Sequence, residues 1–261
     1  MDGLKTAVLY SLYFEDNPSV HHNYKQLKHS ISSIRKFSDI DIFVYISSKT
    51  KIIDQFFIDN KVILIDFNND EVFKRWSNKV PVHPWNIWLH HRWINILNFI
   101  KQHEYDRVLF LDTDTIFYKS PIELLNKYNK DMCYFKKEFN DGVVQNFIKS
   151  LNINPGINDG QMILSKTEIN KILKDFELLW IDTINNFTDK IFSSLNSNTD
   201  HIFFWNVSQY AAYYNIRQSN IKYEYFEDKD ICLGTDFDTT NKDDVFIHHY
   251  FSGNMKRYIN E

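Results

Sequence analysis

Residues Arg107–Phe117 read RVLFLDTDTIF. The apolar run from Val108 to Leu111 suits a strand buried on both faces, and it ends on Asp112 and Asp114. Ionised carboxylates are costly to bury without a partner. In an extended segment, residues two apart project to the same face. The two acids therefore address one spot at a strand's end, and a positive group is expected beside them.

Outward from this stretch, the preceding sequence alternates strands with helices. Lys5–Tyr10, Ile40–Ile46 and Lys61–Phe67 read as strands. His22–Phe37, with Tyr24, Leu27, Ile31 and Ile34 at helical spacing, reads as a helix, and so does Trp85–His103, with Trp93, Ile94, Leu97 and Ile100 on one face. Lys51–Asp59 supplies a short helix between the second and third strands. The alternation implies a mainly parallel α/β sheet flanked by helices. Ligands of such sheets bind outside the carboxyl ends of the strands, which is where Asp112 and Asp114 fall. Past Phe117 the pattern is less regular. SPIE (Ser120–Glu123) and SKTE (Ser165–Glu168) are helix starts with a capping residue and Glu three positions on. Strands are expected over Asp131–Lys137 and Gln161–Lys166, a helix over Asp200–Tyr214 and a last strand over Val245–His249. The reading is one compact unit over residues 1–261, with a nucleotide-binding half up to 117 and a second half over 118–261.

Composition narrows the class of partner. A net charge of −4 on 261 residues argues against nucleic acid, which calls for a basic surface. With two cysteines, Cys133 and Cys232, there is no disulfide framework, and a reducing, cytoplasmic setting is expected. The N-terminus lacks a signal-peptide core and no run of 18 apolar residues occurs, so no integral membrane segment is expected. In that setting the sequons at Asn186 and Asn206 carry no meaning.

Asp–X–Asp at a strand end suits a hard divalent cation, Mn2+ or Mg2+, that keeps positions open for phosphate oxygens. The plain reading is a polar surface turn. LDTDT also matches the first motif of haloacid-dehalogenase-type phosphatases, where the first Asp attacks phosphorus. Ser165 and Lys166 of ILSK, and GTDFD (Gly234–Asp238), would then complete that site. Against it, roughly a hundred residues precede the motif. HPWNIWLHHRW (His83–Trp93) lacks a metal-ligand spacing, and its Trp residues read as packing.

Over nearly the whole chain, and in order, the motifs resemble those of GT-A-fold nucleotide-sugar glycosyltransferases, most closely family eight, which includes glycogenin and lipopolysaccharide hexosyltransferases. Lys5–Tyr10 resembles the uracil-side strand, with Tyr10 and Tyr24 on the nucleotide. Arg92 resembles a basic residue that approaches the donor. YDRVLFLDTDTIF (Tyr105–Phe117) is similar to the aspartate motif, with Asp112, Thr113 and Asp114 on metal and diphosphate. INDGQMIL (Ile157–Leu164) resembles the Asn-X-Gly strand lining the donor sugar, with Asn158 and Asp159 facing its hydroxyls, although the position of Asp159 is commonly small. TDHIF (Thr199–Phe203) resembles the Asp-Gln motif, with Asp200 beside the sugar and His201 in place of Gln. HHYFSGNMK (His248–Lys256) resembles the final His-X-X-Gly-X-X-Lys. Gly253 and Lys256 keep its spacing, but its His would fall on Tyr250; one extra loop residue would bring His249 into the metal shell, two His248. The resemblance implies a UDP-sugar donor, a divalent metal, a glycan or other hydroxyl acceptor, and retention of anomeric configuration. A catalytically silent nucleotide- or sugar-binding protein of the same fold is the third reading, motivated by the shifted His and by His201.

Overall fold

The computed structural model describes residues 4–14, 22–48, 54–67, 70–79, 84–137, 156–172, 200–234 and 242–250. Strand β1 (Thr6–Phe14) is followed by helix α1 (His22–Arg35), β2 (Asp41–Ser48), α2 (Gln55–Asp59) and β3 (Val62–Asp66). Helices α3 (Glu71–Lys79) and α4 (Pro84–Gln102) then lead into β4 (Arg107–Leu111) and the short β5 (Thr115–Phe117). Next come α5 (Pro121–Lys127), β6 (Cys133–Lys137), β7 (Ile157–Ser165) and the single turn α6 (Lys166–Ile169). Helix α7 (Asp200–Gln218) precedes the short strands β8 (Tyr223–Tyr225), β9 (Ile231–Leu233) and β10 (Ile247–His249).

Among the described residues the main sheet has the order β3-β2-β1-β4-β7-β6-β8. β1 pairs in parallel with both β2 and β4, and β2 with β3. β7 runs antiparallel to β4 and β6, and β8 is parallel to β6. The expected mainly parallel α/β sheet is therefore present, and β6 and β7 extend it past residue 117. Strand order reverses between β1 and β4, so Asp112, just beyond β4, stands at a topological switch point.

Side chains alternate between two cores across this sheet. Val108 and Phe110 face one with Trp93, Leu97 and Phe99 of α4 and Ala212 of α7. Leu109 and Leu111 face the other, with Leu27 and Ile31 of α1, Leu124 of α5 and Ile247 of β10. Both faces of β4 are buried, which explains its unbroken apolar run. β9, β10 and β5 form a second small sheet over this second core.

Local chemistry sets the helix starts. Ser120 accepts from the Ile122 N–H at 3.2 Å with Pro121 opening α5, and Ser165 accepts from Glu168 N at 3.4 Å at α6. Such a cap is worth about 1 kcal/mol. Asp54 does the same for α2 and Asp70 for α3. Cys133 and Cys232 are free and buried, burial pushing the Cys133 thiol up to about 12. Among the described residues no helix is long and apolar enough to cross a membrane.

Candidate metal centre

The Asp112–Asp114 turn is fixed before any ligand is considered. The Asp112 N–H donates to Gly160 O of β7 at 2.7 Å, and the Tyr250 N–H to Asp114 O at 2.8 Å. Thr115 Oγ1 donates back to Asp112 O at 2.8 Å and lies 3.0 Å from Ser30 Oγ of α1, which in turn lies 2.6 Å from the Tyr10 hydroxyl of β1. Buried hydroxyls of this kind are satisfied only when such a network is complete.

β5 carries the turn onward and pairs antiparallel with β10, setting His249 opposite Thr115. His249 Nε2 then lies 3.1 Å from Asp114 Oδ1 and 3.8 Å from Asp112 Oδ2. Asp112, Asp114 and His249 each offer a ligand atom, and these atoms lie within 4.8 Å of one another. Two carboxylate oxygens and an imidazole nitrogen suit a divalent cation, Mn2+ better than Mg2+, which prefers oxygen alone.

The other oxygen of Asp112 accepts from Arg92 Nη1 at 3.3 Å. Arg92, on α4, also ion-pairs through Nη2 with Asp159 of β7, whose second oxygen accepts from Trp93 Nε1 at 2.9 Å. Gly160 makes room for Asp112: a Cβ there would lie 2.4 Å from Asp112 Oδ2. Asn158, also buried, turns its Oδ1 to the Gly160 N–H at 3.0 Å.

Charge follows from this packing. Burial and the carboxylates of Asp114 and Asp159 raise the Asp112 carboxyl above its ordinary value, against the pull of Arg92 and His249. Burial by itself lowers the His249 pKa, but Asp114, by charge and by hydrogen bond, and Asp112 outweigh it, so the imidazole stands above its usual value.

The structure brings Arg92, Asp112, Asp114, Asp159 and His249 together, with Thr113 half-buried between the two acids. The other expected residues are placed as follows. His248 is not turned to the carboxylates, because neighbours on a strand face opposite ways; its Nε2 lies 2.9 Å from Gly234 O. Tyr10 is fully buried in the core, its hydroxyl 2.6 Å from Ser30 Oγ. Tyr24 is also a core residue, packed edge-on against Phe14 and Phe57, with its hydroxyl donating to Asp54 at 2.5 Å. Among the described residues the phosphatase constellation is not assembled. Ser165 pairs with Arg107 at the amino end of β4, five residues or about 16 Å of strand away from Asp112. Lys166 is spent on the His103 carbonyl at 2.9 Å. Most of GTDFD, the side chains of Asp200 and His201, and Gly253 and Lys256 lie outside what is described.

Three contributions are not legible in the sequence: the room that Gly160 leaves for Asp112, Trp93 as a donor and the Ser30–Thr115 pair. Trp93 gives no sequence signal, since it also fills the core at 0% exposure. Gly160 stood inside a recognised motif, but only the packing shows what its missing side chain admits.

No protein-family model matches the chain, and no curated protein does. Among solved structures it is similar to mouse xyloside xylosyltransferase 1 in its apo form, with a TM-score of 0.57 and 11% identity over 95% of this chain and 99% of that one. It is also similar to the galactosyltransferase LgtC in complex with donor and acceptor sugar analogues, with a TM-score of 0.53 and 13% identity over 94% of this chain and 86% of that one. A third neighbour, the bifunctional WbbM, is matched over 96% of this chain but 46% of its own, at a TM-score of 0.52 and 14% identity. At such identities the likeness establishes the fold: a mixed α/β sheet of the GT-A type.

Proposed function

We propose that this chain is a metal-dependent glycosyltransferase that moves a hexose-type sugar from a UDP-sugar to a hydroxyl acceptor, with retention of configuration. The observation that carries the reading is the convergence of Asp112, Asp114 and His249 at the switch point of a GT-A sheet. A divalent cation bound there supplies Lewis-acid stabilisation to the charge gathering on the leaving diphosphate. The protein's part is to hold that cation and orient the donor. Asp114 and Asp112 give oxygens, and His249 gives Nε2 in its neutral form. Arg92 holds the second oxygen of Asp112 and keeps the excess of negative charge in check. By resemblance, Asp200 and Asn158 orient the donor sugar, Gly253 allows close approach of the backbone to the phosphates, and Lys256 adds a point charge. Nearby, LgtC is a galactosyltransferase and the mouse protein a xylosyltransferase, which supports sugar transfer and leaves the sugar itself to experiment.

The test is release of nucleoside diphosphate from a panel of nucleotide sugars, in Mn2+ and in EDTA. Metal-dependent release from one donor, abolished in Asp114→Asn, is the expected result. Tight nucleotide binding with no release from any donor, with acceptor sugars present, would favour the silent binding protein instead.

A further inference from the structure

Asp159 is a carboxylate with 0% exposure. Its Oδ1 is ion-paired with Arg92 Nη2, and its Oδ2 accepts from Trp93 Nε1 at 2.9 Å. Both oxygens are thus engaged by α4, and the side chain is fully buried. Arg92, 2% exposed, spans from Asp159 to Asp112 Oδ1. Asp112 Oδ2 is left facing His249. A continuous path therefore runs from Trp93 through Asp159 and Arg92 to the outer oxygen of a metal-ligating carboxylate.

The charges explain why such a path matters. A buried guanidinium requires a counter-charge. Were Asp112 its only carboxylate, Arg92 would neutralise the charge that a cation needs. With Asp159 present, Arg92 has a partner of its own, and its hold on Asp112 serves mainly to orient the carboxylate. We propose that Asp159 is a positioning residue: through Arg92 it keeps the charge of Asp112 available, and its Oδ2 aimed at a divalent cation shared with Asp114 and His249. The inference rests on the metal centre described above. It assigns Asp159 a role other than contact with donor hydroxyls, because both its oxygens are turned to α4 and the side chain is fully buried. The competing account is that Asp159 merely pins α4 to β7, which would affect stability alone.

The test measures the affinity for Mn2+ alone, by electron paramagnetic resonance of the free ion at fixed pH. Asp159→Asn should weaken Mn2+ binding about tenfold, as loss of an outer-shell partner of a metal ligand does. The double variant Arg92→Gln/Asp159→Asn removes one charge of each sign and should recover the part of that loss due to an unpaired Arg92 neutralising Asp112, while the part due to orientation, lost with Arg92, stays. Trp93→Phe keeps the ring in the core, removes only the donor to Asp159 Oδ2, and should give a smaller loss in the same direction; it decides the matter if Asp159→Asn does not fold. Unchanged Mn2+ affinity in the folded single variants, or a double variant no better than Asp159→Asn, overturns the role of Asp159. A wild-type chain that binds no Mn2+ overturns the metal centre itself, and this inference with it.

Discussion

The backbone N–H of Asp112 donates to the carbonyl of Gly160 at 2.7 Å, and the Asp112 carboxylate lies directly over the place where a side chain at 160 would begin. A Cβ at that position would meet Oδ2 at 2.4 Å and Cγ at 3.0 Å. Gly160→Ala should therefore displace the carboxylate, with an overpacking cost of about 1–3 kcal/mol. We expect the variant to fold, by circular dichroism, and to lose Mn2+ affinity by at least about tenfold. Undiminished Mn2+ binding would show that Asp112 need not hold its observed position.

Tyr10 contributes to the site as scaffold. Its hydroxyl begins the chain of contacts through Ser30 and Thr115 to the Asp112 carbonyl. Tyr10→Phe should lower stability by about 1 kcal/mol in urea unfolding and leave nucleotide affinity unchanged. A large fall in affinity at unchanged stability would restore Tyr10 as a nucleotide contact.

His249 gives two opposite pH dependences. Its folded pKa is raised above the ordinary value of 6.5. In metal-free protein its pairing with Asp114 and Asp112 therefore stabilises fully below about pH 6.5 and is lost as pH rises through the folded value. Cation binding needs the neutral imidazole and releases the proton, so Mn2+ affinity should rise over that same interval. His249→Gln should flatten both curves. Thermal unfolding in EDTA and Mn2+ titrations, each from pH 5.5 to 9, check the two slopes; a metal affinity that falls with rising pH would contradict them.

The sequence showed these features unevenly, for physical reasons. β4 was plain because it is buried on both faces, and the α5 and α6 starts because capping chemistry is local. β5, β8 and β9 give no strand signal, since at three residues each no period registers; β10 is as short and is marked only by the apolar run Val245–Ile247. Helix α3 is not among the expected elements, although Val72, Phe73 and Trp76 keep helical spacing behind the Asp70 cap. β1 runs to Phe14 rather than Tyr10, past Ser11, which is buried and accepts from both Trp88 Nε1 and Asn95 Nδ2 at 3.1 Å. The choice between His248 and His249 turned on strand register, and the partners of Asp159 on contacts across 66 and 67 positions. Neither leaves a periodic trace.

The central claim is that Asp112, Asp114 and His249 hold a cation on which nucleoside diphosphate binding depends. Calorimetric titration of UDP into the protein, once with Mn2+ and once with EDTA, tests it most directly. The account predicts one site in Mn2+ and affinity at least about tenfold weaker in EDTA, with Asp114→Asn in Mn2+ behaving like the EDTA sample. Equal affinity for UDP in Mn2+ and in EDTA would contradict it.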